Sequence, residues 1–231
     1  MSRHANAGRR LFLIRHGRVD FDARDAFWQS PRGRQWDPPL GPEGREQAER
    51  LAARLLAMRR PAGVYVSPFT RCLQTVAPFA EAAGVEPVPD EDVGEVFIGE
   101  WEGVPFEEIV ATSEEVARRA RDFEAMFSAA PGAETARELR ARVVPAVERM
   151  LETHPNGDVV VVTHGGVINS YAGRVLGIDH DMFYVPENTS FTTFDLDGDG
   201  RSLRFLNDVL HLVQPGLFAP PAGADAGHSA D

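Results

Sequence analysis

The chain predicts an α/β fold: a three-layer α/β/α sandwich with a mostly parallel central sheet and an inserted helical lobe. Two patterns carry this. Short apolar runs alternate with longer stretches whose apolar residues recur at helical spacing. Two of the runs end in the same step, His16-Gly17 and His164-Gly165. In an open parallel sheet ligands collect beyond the carboxyl ends of the strands, so histidines far apart in sequence can share one site. The length of 231 residues is that of one large domain, or one domain with an inserted lobe, and it suffices for a substantial core.

Residues 11–15 (Leu-Phe-Leu-Ile-Arg) read as a buried strand that delivers a loop. Residues 18–40 read as irregular, with Pro31, Gly33, Pro38 and Pro39 and with exposed aromatics at Phe21, Phe27 and Trp28. A helix follows: Gly41 can cap it, Pro42 suits its first position, and Glu43 and Glu46 favour its positive end. Ala48, Leu51, Ala52, Leu55 and Leu56 mark its apolar face.

Residues 63–66 are a second buried strand, about Phe69 to Ala83 a helix, and Val85 to Val88 a candidate third strand. A Gly-rich loop over 92–103 precedes a stretch of helical composition from about Phe106 to Met126, with Phe106, Ile109, Val110, Phe123, Met126 and Phe127 as lobe core. A break at Pro131-Gly132 leads to a helix over about Glu134 to Glu152. Residues 158–163 form the clearest buried strand, followed by a helix through Leu176. Residues 189–196 and 201–207 flank Asp197-Gly198-Asp199-Gly200, a hairpin turn. From Pro215 the chain is Pro, Ala and Gly with little to bury, which predicts a disordered tail over 215–231. The expected organisation is thus one domain over 1–214, with the lobe at about 104–130.

Composition narrows the function classes. Hydrophobic residues make up 43% and charged residues 26%, as in a soluble globular protein. A formal charge of −11 argues against nucleic acid as partner. No stretch approaches the ~20 apolar residues of a membrane span, and the apolar run Leu11 to Ile14 behind Arg3, Arg9 and Arg10 is too short for a signal-peptide core. The reading is a cytoplasmic protein without a membrane partner; a homodimer is left open. The single cysteine, Cys72, excludes an internal disulfide. Every basic residue is arginine, so any anion-binding charge is a guanidinium, which grips phosphate with two parallel hydrogen bonds.

Four segments could carry chemistry. Arg15-His16-Gly17 places a histidine just past a buried strand, next to a cation, with a glycine that would let a ligand approach the backbone. Thr163-His164-Gly165-Gly166 repeats the arrangement and adds backbone N–H groups at a helix start, a natural anion site. Ser67 to Thr75 sets Arg71 in the first turn of a helix. Glu95 lies in the loop Val93-Gly94-Glu95, ahead of Gly99 to Gly103. Taken singly, each reads as readily as a loop histidine, a solvated arginine or a solvated acid. Asp195 to Gly200 matches the start of a calcium loop, but Leu206 stands where a bidentate Glu is needed and the flanks read as strands. His4, His154, His180, His211 and His228 read as surface or packing residues, and Cys72 as a buried hydrophobe.

Together the segments resemble the histidine phosphatase superfamily, also called phosphoglycerate-mutase-like. The pieces follow the family's order from about Leu11 to Phe194: LIRHG, PLGPEGREQA, SPFTRCLQT, VGE with GEWEG, PGAET, VVTHGG and Asn188-Thr189-Ser190. The resemblance implies that His16 is the phosphorylated nucleophile and that Arg15 and Arg71 bind phosphate. It implies His164 as the second pocket histidine, Glu95 as proton donor, with Val93 in place of the usual leucine, and N–H groups at Gly165 in the anion hole. It implies no metal and no cofactor.

The implied activity is hydrolysis of a small phosphorylated metabolite through a phosphohistidine. GEWEG looks like the phosphatase branches, and no Arg-His-Tyr-Gly follows Glu95 as in the mutases. A cofactor-dependent phosphoglycerate mutase, a metal hydrolase using His16, His164 and Glu95, and a non-catalytic phosphate-binding module stand as alternatives. The chain departs from the family at Arg18 and Val19, where Glu-Thr is usual, at Asp22, where an asparagine is frequent, and at Gly41, where the helix usually starts on a hydroxyl residue.

Overall fold

The computed structural model describes residues 8–122, 129–214 and 217. Its main sheet has six strands: β1 (Arg9–Arg15), β4 (Gly63–Val66), β5 (Val88–Pro89), β6 (Val159–Thr163), β7 (Phe191–Asp197) and β8 (Gly200–Asp208). They are ordered β5-β4-β6-β1-β7-β8, with the first four parallel and the last two joined antiparallel. The sheet is therefore mixed, its parallel part holding the site and its antiparallel part being the expected hairpin, turned at Gly198-Asp199 with Gly198 at φ 55°.

The strands are apolar on both sides because both faces are covered. One face packs Leu11, Leu13, Val159 and Val161 against α5 (Ala136–Thr153) and α6 (Gly165–Leu176). The other packs Phe12, Ile14, Val160 and Val162 against α1 (Pro42–Leu56) and α2 (Thr70–Ala83). α1 starts as the sequence predicts, with Gly41 extended at its cap and Pro42 at its first position. α5 opens with a capping box: Thr135 accepts from the Glu138 N–H while Glu138 reaches back to the Thr135 N–H.

Three expectations need correction. Residues 18–40 are not all irregular, since β2 (Phe27–Ser30) pairs antiparallel with β3 (Gly33–Trp36), and Phe27 and Trp28 are half-buried there, leaving only Phe21 of the three aromatics exposed. The helical stretch after Phe106 is broken into α3 (Phe106–Val110) and α4 (Glu114–Asp122), where the Ser113 hydroxyl accepts from the Val116 N–H and restarts the helix. The candidate third strand pairs at Val88–Pro89, later than its apolar run suggests. Of the expected lobe core, Ile109 is buried and Val110 half-buried; Phe123, Met126, Phe127 and the Phe106 side chain lie outside the described residues, as do all but Leu217 of the expected tail. A last short helix, α7 (Leu210–Val213), folds back near α1. Among the described residues no helix is long and apolar enough to cross a membrane.

Candidate active site

The parallel register builds the site. Arg15 of β1 stands opposite Thr163 of β6, so the next residues, His16 and His164, leave the sheet side by side, with ring centroids 5.3 Å apart. The His16 N–H donates to the Thr163 carbonyl at 2.9 Å, and the Asn188 amide donates to the His16 carbonyl at 2.9 Å, which fixes the backbone on both sides of the ring. Thr189, beside Asn188, adopts φ 57°, a left-handed conformation that costs energy for a β-branched residue, and its N–H reaches the Arg15 carbonyl. The fully buried His211 secures this corner: its Nε2 lies 3.0 Å from the Thr189 hydroxyl, and Arg54 and Asp208 pack around it. His211 is thus a packing residue with specific partners, outside the lining of the cavity, and His154 likewise pairs with the Tyr65 hydroxyl.

Hydrogen bonds assign both tautomers. His16 Nδ1 faces the Gly17 carbonyl at 2.8 Å, an acceptor only, so Nδ1 carries the proton and Nε2 keeps its lone pair. His164 Nδ1 receives an Arg71 N–H at 3.2 Å; an arginine can only donate, so His164 is protonated at Nε2, which donates to the Ser67 hydroxyl at 2.7 Å. Burial first, then Arg71, holds both imidazoles well below the ordinary histidine pKa; Arg15 adds to this at His16, and His16 itself at His164. Both rings are neutral.

The arginines come from different elements. Arg15 ends β1; one of its amino groups donates to the Pro186 carbonyl, while its Nε is buried without a partner. That Nε lies 4.0 Å from where a Cβ on Gly165 would stand, at the N-terminus of α6. A buried cation and the unsatisfied first-turn N–H groups of a helix therefore share one anion-sized corner. Arg71 sits in the first turn of α2 and is held by Asp37, whose Oδ1 lies 3.4 Å from the guanidinium while its Oδ2 accepts from both the N–H and the hydroxyl of Thr70. Asp37 and Arg71 are both nearly enclosed, at 6% and 8% side-chain exposure. Asp37 is a positioning residue for Arg71. Asp37→Ala should lower stability by about 3–5 kcal/mol, the usual cost of breaking a buried ion pair, and raise the KM for phosphoesters more than Asp37→Asn, which keeps an acceptor for Thr70. Thermal unfolding and phosphate affinity of the two variants check this.

Glu95 hangs from a loop tied to α5. Arg142 donates to the carbonyls of Asp92, Gly94 and Glu95 and is paired in turn with the half-buried Glu134. The Glu95 carboxylate accepts from the Val96 N–H at 3.0 Å, and its second oxygen lies 3.8 Å from His164 Nδ1. Burial raises its pKa above the ordinary carboxylate value, with Arg71 the largest opposing influence. Glu102, half-buried, spends both oxygens on the N–H groups of Trp36 and Ile98.

These parts surround one cavity of about 590 Å³. Arg15, His16, Arg71, Glu95 and Gly165 line it, as the sequence leads one to expect. The other two expected site residues stand differently. His164 is completely buried and stands behind the lining, against Arg71, the His16 ring and the Glu95 carboxylate. Gly17 is required by packing and not by ligand approach: its N–H donates to the Thr75 hydroxyl, and a Cβ would lie 2.7 Å from the Gly44 carbonyl of α1. Asp37 and Arg142 escape the sequence reading, since nothing near them in the chain marks their partners; Glu134 and the strained Thr189 fall inside the segments PGAET and Asn188-Thr189-Ser190, but nothing in the sequence assigns either of them a role.

A family model described as "Histidine phosphatase superfamily (branch 1)" matches residues 11–209. Among curated relatives, "Phosphoglycerate mutase-like protein 4" of Arabidopsis thaliana is 29% identical over 219 residues, covering 93% of this chain and 92% of that protein. "Glucosyl-3-phosphoglycerate phosphatase" of Mycolicibacterium vanbaalenii is 29% identical over 184 residues, covering 77% and 78%. Among solved structures, Bacillus stearothermophilus YhfR aligns with a TM-score of 0.75 at 27% identity, covering 88% of this chain and 98% of that one. A mycobacterial glucosyl-3-phosphoglycerate phosphatase in complex with VO3 aligns with a TM-score of 0.72 at 27% identity, covering 86% and 98%.

Proposed function

Because the chain belongs to the histidine phosphatase superfamily, branch 1, and is an enzyme of the phosphatase kind acting on a small phosphorylated compound, we propose that it hydrolyses phosphomonoesters by transferring the phosphoryl group to His16 Nε2 and then to water. The observation that carries this reading is the neutral His16 with its lone pair on Nε2, set among Arg15, Arg71 and the N-terminus of α6.

Nε2 attacks phosphorus in line with the ester oxygen; the N–P bond forms as the P–O bond to the alcohol breaks. The charge on the three non-bridging oxygens is met by the two guanidinium groups and the Gly165 N–H, which are already in place before the reaction. Glu95, whose carboxyl burial makes harder to ionise, gives its proton to the departing alkoxide. The resulting carboxylate then takes a proton from water, whose oxygen attacks the phosphohistidine. The N–P bond breaks, and phosphate leaves with His16 neutral again. His164 touches no reacting atom; through Nδ1 it orients Arg71.

A mutase would return the phosphoryl group to a second hydroxyl. The test is therefore release of inorganic phosphate in step with the alcohol, in the presence and absence of EDTA. Release should match the alcohol one to one, survive chelation, and be blocked competitively by vanadate, because the arginines supply the positive charge that metals supply elsewhere. Alcohol formed without free phosphate would favour the mutase, and full loss in EDTA restored by zinc or magnesium would favour a metal hydrolase.

A further inference from the structure

Resting on the phosphatase reading, we infer that the preferred substrate is a phosphomonoester whose leaving alcohol carries an apolar, ring-bearing body and no carboxylate or second phosphate. The cavity is far larger than a phosphoryl group, and its 590 Å³ falls in the range of pockets that enclose a whole small-molecule ligand. Beyond the phosphate corner its wall is mostly apolar. Trp36 and Trp101 stand half-exposed in it, and Ile98 and Met182 line it too.

The mouth is apolar too. Phe21 is 60% exposed, Val185 53% and Val104 37%, and all three line this one cavity. Isolated exposed apolar side chains need no explanation, but several converging on one concave site mark a surface that a ligand covers. The Phe21 ring lies 6.1 Å from that of Trp36 at an interplanar angle of 35°, a tilted pair at the mouth. Such rings bind apolar and aromatic bodies by contact area and quadrupole.

Charge points the same way. Among the described lining residues the cations are Arg15, Arg24 and Arg71. Arg15 and Arg71 hold the phosphoryl group, and Arg24 is exposed, where a carboxylate would stay hydrated and gain little. The other charged lining groups are acids: Glu95, Glu102 and Glu107. A carboxylated or doubly phosphorylated leaving group would be desolvated beside Glu102 and Trp36 without a cation to receive it, whereas an uncharged ring would lose nothing.

Initial rates on three alkyl esters of similar leaving-group basicity test this: 2-phenylethyl phosphate, glycerol 3-phosphate and 3-phosphoglycerate. The phenylethyl ester should have the highest kcat/KM, by about tenfold or more over 3-phosphoglycerate, and Phe21→Ala with Trp101→Ala should narrow that ratio. Calorimetric binding of the same esters to His16→Ala reads the preference without turnover. Equal or tighter binding of 3-phosphoglycerate, or a preference for it that disappears in Arg24→Ala, overturns the inference and leaves the phosphatase reading standing. No phosphate release from any ester by the wild-type enzyme overturns the phosphatase reading, whatever the binding preference.

Discussion

His16→Ala is expected to remove turnover by a factor on the order of 10⁴ or more, the scale seen when a covalent nucleophile is lost, while the protein stays folded. No neighbouring group can substitute. His164 is closed off from the cavity and has both ring nitrogens occupied, by Arg71 and Ser67. Cys72 is wholly buried inside α2, and burial pushes its thiol far above the range in which it would ionise. The His16 side chain contributes one hydrogen bond, to the adjacent Gly17 carbonyl, and its backbone contacts to Thr163 and Asn188 survive truncation. The stability change should therefore stay within about 1–2 kcal/mol. Steady-state rates, thermal unfolding, and acid-labile label retained after quenching with a phosphorus-labelled ester check the three parts together. A folded His16→Ala protein that keeps a near wild-type rate, or a wild-type enzyme that never retains label, would place the nucleophile elsewhere.

What could be read from the sequence follows the range of the interactions involved. β1 and β6 are legible because both are apolar on two faces, and the strand-end position of each histidine follows from that. Their meeting depends on the register of Arg15 against Thr163, which a general rule about parallel sheets anticipates. The β2–β3 hairpin is not legible: its strands are four residues long, and the inward residues Ser30 and Gln35 are polar and satisfy each other at 2.6 Å, so no apolar alternation appears. Asp37 looks like a turn residue before two prolines; its partners Thr70 and Arg71 lie beyond α1 and β4. Arg142 sits on a helix that also carries the exposed Arg137 and Arg149, and only the fold turns it toward the Glu95 loop. Gly17 shows a subtler failure: the need for glycine is visible, but its reason, the backbone of Gly44, is supplied by a helix more than a turn of chain away.

Glu95→Gln is expected to slow alkyl phosphates by about 10²–10⁴-fold, the usual worth of a general acid, and to slow a nitrophenyl ester far less. An alkoxide needs a proton as the P–O bond breaks, whereas a nitrophenolate leaves without one. Glutamine retains the side-chain shape and can still accept the Val96 N–H, so the loop held by Arg142 should keep its place. It has no proton to give at useful acidity. The sign of the pH dependence follows from the direction of the shift. Burial raises the Glu95 pKa, so the donating, protonated form persists above the ordinary carboxylate range and is lost as pH rises through the raised value. The alkyl-ester rate of the wild-type enzyme should fall on that alkaline side. His16, whose pKa burial and the two arginines push down, stays neutral over the same range and adds no opposing limb there. In Glu95→Gln the alkaline fall should disappear together with most of the alkyl-ester rate, while vanadate still binds through Arg15 and Arg71. The decisive measurement is the ratio of the two rate losses, nitrophenyl against alkyl, taken across pH. Equal losses at every pH would mean that Glu95 orients the site without donating the proton; Glu100, exposed in the same loop, or Glu102, with both oxygens already bonded to backbone, would then be the acids to replace next.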